Sequence, residues 1–148
     1  READALVVLP HLPELPAGEP VALAVPGDTA ACGGVFRCGL MHGVPDDCRD
    51  HPLHVQYFDA DAFPAGAVAR YREHGDRFHP LGAPGGRKLK EYLIDRKVSR
   101  FLRDGLPLVA HGADVLWVVG HGIADCIKIT ERTQRVLKIT FEKEENGV

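Results

Sequence analysis

Six side chains able to bind a metal, Cys32, Cys38, His42, Cys48, His51 and His54, crowd between positions 32 and 54. Cys38 with His42, and Cys48 with His51, approach the close pairs that structural zinc uses. The surrounding chain is rich in Gly, Pro and Asp, and Cys38 falls on the apolar side of an alternating run, so a strand and a loop explain the cluster without a metal. Asp59-Ala-Asp61 offers two carboxylates to a hard cation, but the same pattern ends a strand in a turn. His121 and Asp125 carry acid–base chemistry in type only. No nucleophile or metal motif accompanies them, and a satisfied or exposed histidine is the simpler reading.

A different group stands out by charge. The 148 residues carry a net charge of -3, yet ten of the eighteen Lys and Arg fall between 70 and 104, against five acids. These are Arg70, Arg72, Arg77, Arg87, Lys88, Lys90, Arg96, Lys97, Arg100 and Arg103. An acidic protein with one concentrated basic stretch suggests a directed anion contact. Gly85-Gly86 before Arg87 leaves a predicted helix start open to an outside anion, because the glycines cap by backbone alone. The same residues also fit a solvated helix face behind an ordinary glycine loop. A mononucleotide phosphate loop is excluded, since no Gly-x-x-x-x-Gly-Lys-[Ser/Thr] occurs. Tyr71, Phe78 and Tyr92 are the only plausible stacking aromatics near the basic stretch, and they are too sparse for single-strand stacking of the recognition-sheet type. A grip on the backbone of folded RNA fits better.

The elements that must position these residues follow from periodicity. Strands are predicted at Val21–Val25, Phe36–Leu40 and Leu53–Tyr57, with Pro26-Gly-Asp28 as a turn. Val68–His74 fits a strand or a short helix. A helix is predicted over Arg87–Asp95, with Leu89, Tyr92 and Leu93 as its apolar stripe and Arg87, Lys90 and Lys97 opposite. Ser99 should cap a second short helix ending at Gly105. Strands return at Leu108–Ala110, Val115–Val119, with Trp117 in the core, and Arg135–Phe141, followed by a frayed tail over Glu142–Val148. The expected fold is α+β: a small β-rich connecting lobe over 1–64 and a mixed lobe over 65–148, with one or two short helices packed on a sheet. No apolar run approaches the roughly 20 residues a membrane span needs. Four cysteines are too few for a disulfide scaffold in a chain of this size, which favours the cytoplasm. Arg1 in place of an initiator Met reads as an engineered boundary or a cut within a longer protein.

Several linked motifs then resemble one family. They are Gly75-Asp-Arg-Phe-His-Pro-Leu-Gly82, Gly86-Arg-Lys-Leu-Lys-Glu-Tyr-Leu-Ile-Asp95, Lys97-Val98, Arg103-Asp-Gly-Leu-Pro107, Leu116-Trp-Val-Val-Gly120 and Lys128-Ile-Thr130 with Thr133. In order and spacing, from about 55 to 141, they resemble the C-terminal domain of bacterial tRNA(Ile)-lysidine synthetase. The stretch after Gly120 departs from the family, with His121 where a basic residue is common.

The resemblance implies a parent ligase that joins lysine to the wobble cytidine of isoleucine tRNA, using ATP and Mg in an N-terminal catalytic domain. It implies no catalytic residue and no cofactor in this chain, whose single serine, Ser99, lies outside any Ser-Gly-Gly-x-Asp-Ser loop. The partners it implies are a tRNA stem, on the acceptor side, and the parent's own N-terminal domain. Matching positions make Arg87, Lys88, Lys90, Lys97, Gly85 and Gly86 the expected RNA contacts. Arg77 and Arg103 belong to the same set, although Asp76 and Asp104 beside them favour structural ion pairs. Two rival readings stay open: an independent small enzyme using His121, Asp125 or a Cys/His metal site, and a structural interaction domain whose basic face binds the acidic lobe of its own parent.

Overall fold

The computed structural model describes residues 19–46 and 52–144, and its organising element is the last strand. Leu137, Ile139 and Phe141 alternate with Lys138 and Thr140, as a strand with one buried face requires, and the run forms β11 over Arg135–Lys143. It lies between β3 (Gly34–His42) and β4 (Val55–Asp59), antiparallel to both. With β2 (Gly27–Ala31) outside β3, this makes a four-stranded sheet in the order β2-β3-β11-β4. Cys32 and Gly33 form the β2–β3 turn, with φ of 58° and 76°, the left-handed pair that matches the twist of a tight hairpin.

The second sheet has seven strands. Its path runs β1 (Val21–Ala22), β5 (Val68–Arg70), β8 (Leu108–His111), β9 (Asp114–Val118), β6 (Arg77–Phe78), β7 (Arg87–Lys88), with β10 (Gly122–Ile123) also paired to β9. Trp117 on β9 is fully buried between the sheets. The rings of Phe36 and Phe58, from the other sheet, meet it edge-on with centroids 6.2 and 6.0 Å away. Both sheets use residues on either side of position 64, since β11 pairs with β3 and β4, and β1 pairs with β5.

Two short helices complete the α+β architecture, α1 (Leu89–Asp95) and α2 (Arg100–Arg103). Leu89 and Leu93 are buried, and Tyr92 packs on Phe78 with ring centroids 4.8 Å apart. Gly122 lets the helix sit this close: a Cβ there would come within 2.8 Å of the Tyr92 hydroxyl.

Four local expectations need correction. Pro26-Gly27-Asp28 is not a free turn; a cis Val25–Pro26 bond leads directly into β2 at Gly27. Val68–His74 becomes a strand only as far as Arg70. Arg87 and Lys88 are strand rather than helix, because they pair with Phe78 and Arg77. Glu142 and Lys143 continue β11 opposite Val35 and Gly34, and the rest of the predicted frayed tail, past residue 144, lies outside the described residues.

Candidate nucleic-acid interface

The basic stretch is organised around a buried ion pair. Arg70 is 4% exposed, and its guanidinium donates to both Asp76 oxygens, at 2.8 and 3.0 Å, and to the carbonyls of Tyr71 and Gly112. Burial opposes its charge, but the Asp76 hydrogen bonds and the nearby carboxylates of Asp76 and Glu73 outweigh that and hold the pKa above its ordinary value. Asp76 also accepts the Glu73 N–H through its side chain, and its carbonyl accepts the Leu89 N–H that begins α1. One carboxylate residue thus closes the 73–76 turn, neutralises Arg70 and anchors the helix.

This overturns the expectation for Arg77 and Arg103. Asp76 goes to Arg70, and Asp104 goes to Arg72. Neither Arg77 nor Arg103 has an ion pair among the described residues. Arg103 instead donates to the Val98 carbonyl at 3.4 Å. The sequence neighbours of a carboxylate are not its spatial partners here, because β5 and the residues just after it bring Arg70 to Asp76 and Arg72 to Asp104.

The glycine-capped helix start is also corrected. The residue preceding α1 is Lys88, with no side-chain cap, and Gly85 and Gly86 lie before β7 in an exposed loop. Helix α1 has seven residues, and its leading N–H is already taken by Asp76. The glycines therefore contribute no open helix start.

The basic side chains fall in separate places. Lys88 and Lys90 line a groove of about 180 Å³ with Arg72, His74 and Glu73. Arg77 and Gly86 line a different depression beside His79 and Asp114. Lys97 lies past the other end of α1, about 13 Å along the axis from Lys88 at 1.5 Å per residue. Arg87 is held by Asp95 at 2.5 Å and is less available than its position suggests. Lys97 has φ of 65°, and its N–H and that of Val98 bond back to Ile94 and Leu93. That is the left-handed helix stop usually made by glycine.

The aromatics selected from sequence are covered: Phe78 is buried, and Tyr71 and Tyr92 are half-buried. Phe101 was missed, and at 67% exposed it is the one exposed aromatic among the described residues. Apolar side chains in a basic helix are read as core by default, so the sequence held no signal that this one faces water.

The other candidate residues make local contacts of their own. Asp125 opens a 3₁₀ turn, and its carboxylate accepts the Gly82 N–H and the Lys128 ammonium, both at 3.0 Å. These bonds hold its pKa below the ordinary carboxylate value and fasten the 80–86 loop. His121 is held below its ordinary pKa by burial and by the charge of Arg96. Asp59 bonds the Asp61 N–H and the Thr133 hydroxyl, ending β4 in a turn. Cys38 is buried and Cys32 half-buried, with burial pushing both thiols up to about 11. Cys48 and His51 lie outside the described residues, and no group of three metal-binding side chains occurs among those described. No helix among the described residues is long and apolar enough to cross a membrane.

The two-sheet base with its two short helices is a fold shared with known structures. A crystal structure of the TILS C-terminal domain superposes with a TM-score of 0.70 at 22% identity, covering 86% of this chain and 98% of that one. An N-terminal fragment of the phenylalanyl-tRNA synthetase β-subunit from Pyrococcus horikoshii gives a TM-score of 0.57 at 16% identity, over 85% of this chain and 47% of that one. Residues 68–139 match the family model of the TilS substrate C-terminal domain. The tRNA(Ile)-lysidine synthase of Caldanaerobacter subterraneus is 39% identical over 82% of this chain, and that of Clostridium tetani 37% over 73%. This chain belongs to the C-terminal-domain family of the tRNA(Ile)-lysidine synthases. It spans about a quarter of the length of these curated relatives, 26% and 23%.

Proposed function

We propose that the chain docks a folded tRNA stem by its sugar–phosphate backbone, as the C-terminal module of an enzyme that attaches lysine to the wobble cytidine of isoleucine tRNA. The observation that carries this reading is an inventory of charge over residues 70–104. Four of its five carboxylates, Glu73, Asp76, Asp95 and Asp104, are spent on Arg70, Arg87 and Arg72. Arg77, Lys88, Lys90, Arg96, Lys97, Arg100 and Arg103 are left without an ion pair among the described residues. A fold that pairs its acids with three arginines and leaves seven cations unpaired has positive charge available to phosphates.

Lys88 and Lys90 stand at the positive end of the α1 dipole, where cations cost a helix stability and attract anions. The face suits the backbone of a stem, on the acceptor side, rather than its base edges, because lysine presents a point charge and no planar fork. The partner contact with the catalytic part of the parent would use other surfaces of the same module, in the cytoplasm.

The residues here do not fit ATP and Mg. Ser99, the only serine, has its hydroxyl occupied in accepting the Leu102 N–H of α2, and no acidic cluster faces a phosphate loop among the described residues. Adenylation and lysine transfer belong in this reading to the rest of the parent chain. Purified chain alone then neither hydrolyses ATP nor forms lysidine, and reproducible lysidine formation by it would overturn that division of labour.

The docking itself is tested by titrating tRNA at several salt concentrations. Neutralising about four phosphates gives a log K against log salt slope near -3, or on the order of fiftyfold weaker binding from 50 to 200 mM. Replacing Lys88, Lys90 and Lys97 together with Glu abolishes the complex while leaving the unfolding midpoint nearly unchanged. A variant that binds as tightly as the parent chain, with the same slope, sinks the reading.

A further inference from the structure

Residues 94–103 combine two features that occur together nowhere else among the described residues. Three large apolar side chains stand in water: Phe101 at 67%, Leu102 at 56% and Ile94 at 48% exposed. Interleaved with them are Arg96, Lys97, Arg100 and Arg103, none of them ion-paired among the described residues, while Asp95 and Asp104 are engaged by Arg87 and Arg72.

The segment is held in place by polar contacts. None of the four α2 residues is buried, yet Ser99 caps the turn through the Leu102 N–H, and the Leu102 and Arg103 N–H groups both reach the Ser99 carbonyl. Arg103 bonds Val98, and the residue ending the turn, Asp104, takes Arg72 from the other side of the chain. Phe101 is therefore mounted on a secured turn and adds little to the core. Lys97 adds an independent sign. A lysine occupies a left-handed position that glycine would fill with less strain, so its side chain is retained at a backbone cost.

Exposed apolar side chains interleaved with unpaired cations, the neighbouring acids being already engaged, have a specific chemical complement: a flat base whose flanking phosphates are anionic. Aromatic–base stacking tolerates any base, because every base has a π-face. Bases inside an A-form stem are stacked on both sides and closed to an inserted ring; unpaired, bulged and terminal bases are open. We propose that Phe101 stacks on one such unpaired or stem-terminal base of the bound RNA, with Arg100, Arg103 and Lys97 on the phosphates beside it. The proposal rests on the reading that this chain binds tRNA, and adds a contact of another chemical kind at a place distinct from the Lys88–Lys90 groove.

The probe is a short RNA hairpin ending in a single-nucleotide 2-aminopurine overhang, titrated with the full 148-residue chain and with Phe101→Ala and Phe101→Trp. Stacking predicts a change in 2-aminopurine emission with the parent chain and with Phe101→Trp, and none with Phe101→Ala. Affinity of Phe101→Ala falls about five- to a hundredfold, while its salt slope stays that of the parent chain, since no charge is removed. The unfolding midpoint is nearly unchanged, because the ring is mostly in water already. Phe101→Ala binding with parent affinity and parent emission overturns the stack, and the lysine contacts survive that result. If Phe101→Ala instead binds RNA normally but loses affinity for the remainder of a lysidine synthase supplied in trans, the patch is a protein contact and the proposal is wrong. Parent chain that binds neither hairpin nor tRNA at low salt removes both readings together.

Discussion

One basic stretch of sequence contains two regions that put the same charge to opposite use. Around the 70–76 turn, arginine is a structural residue: Arg70 is buried with Asp76, and Arg72 reaches across to Asp104. From Lys88 to Arg103 no cation has an ion pair among the described residues, Arg87 just ahead is held by Asp95, and Lys88, Lys90, Arg96, Lys97 and Arg100 stand in water. What separates the regions is where the carboxylates arrive in space. A buried guanidinium must meet its acid or cost the fold heavily; an exposed one has no such need and stays available to a partner. Charge counted along a sequence is therefore an upper bound on charge that can bind anything.

The comparison breaks most visibly at Asp76. Asp76→Ala strands Arg70 in the core and removes the acceptor of the Glu73 N–H, so it should cost about 3–5 kcal/mol, read from the shift in a urea melt. A cost below about 1 kcal/mol, typical of exposed pairs, would mean that the turn does not depend on the pair. Leu93→Ala should cost on the order of 2–5 kcal/mol by opening a cavity under α1. Folded Leu93→Ala keeps its tRNA affinity, and a parallel loss of affinity would show that the helix core and its charged face are not separable. Lys97→Gly works in the reverse sense: relieving the left-handed position should raise stability by roughly 1 kcal/mol and weaken tRNA binding. A destabilised Lys97→Gly would show that the strain assigned to Lys97 is absent. The smallest effect belongs to Asp95→Ala, which frees Arg87. Stability changes by less than about 1 kcal/mol, as for other exposed pairs, and the salt slope of tRNA binding steepens by about one phosphate. An unaltered slope would place Arg87 off the interface.

The local part of this design was legible in the sequence. The Ser99 cap, the apolar stripe of Leu89, Tyr92 and Leu93, and the alternation in β11 depend on neighbours within a few positions, and all appear as expected. The family was legible too, through motifs spread over most of the chain. What stayed hidden depends on distant pairing. Arg87 and Lys88 have the composition of a helix start, but β6 captures them as strand. Asp104 looks like the partner of Arg103 until Arg72 arrives from 32 positions away. Phe101 looks like one more core residue because periodicity reports which side chains could be buried together, and α2 is too short and too peripheral to bury its own.

The position of β11 has a consequence for how the chain is made. Synthesis proceeds from the N-terminus, so β3 and β4 emerge long before the strand that joins them. Until Arg135–Lys143 is available, each presents an unpaired edge toward the gap that β11 will fill, and open edges are what other chains add to. The four-stranded sheet cannot close stepwise behind the ribosome, and its strand pairings are among the most distant in sequence, the kind that form slowly. During that interval the nascent module is exposed to aggregation, and a message truncated before the codon for Arg135 yields a chain that never leaves it.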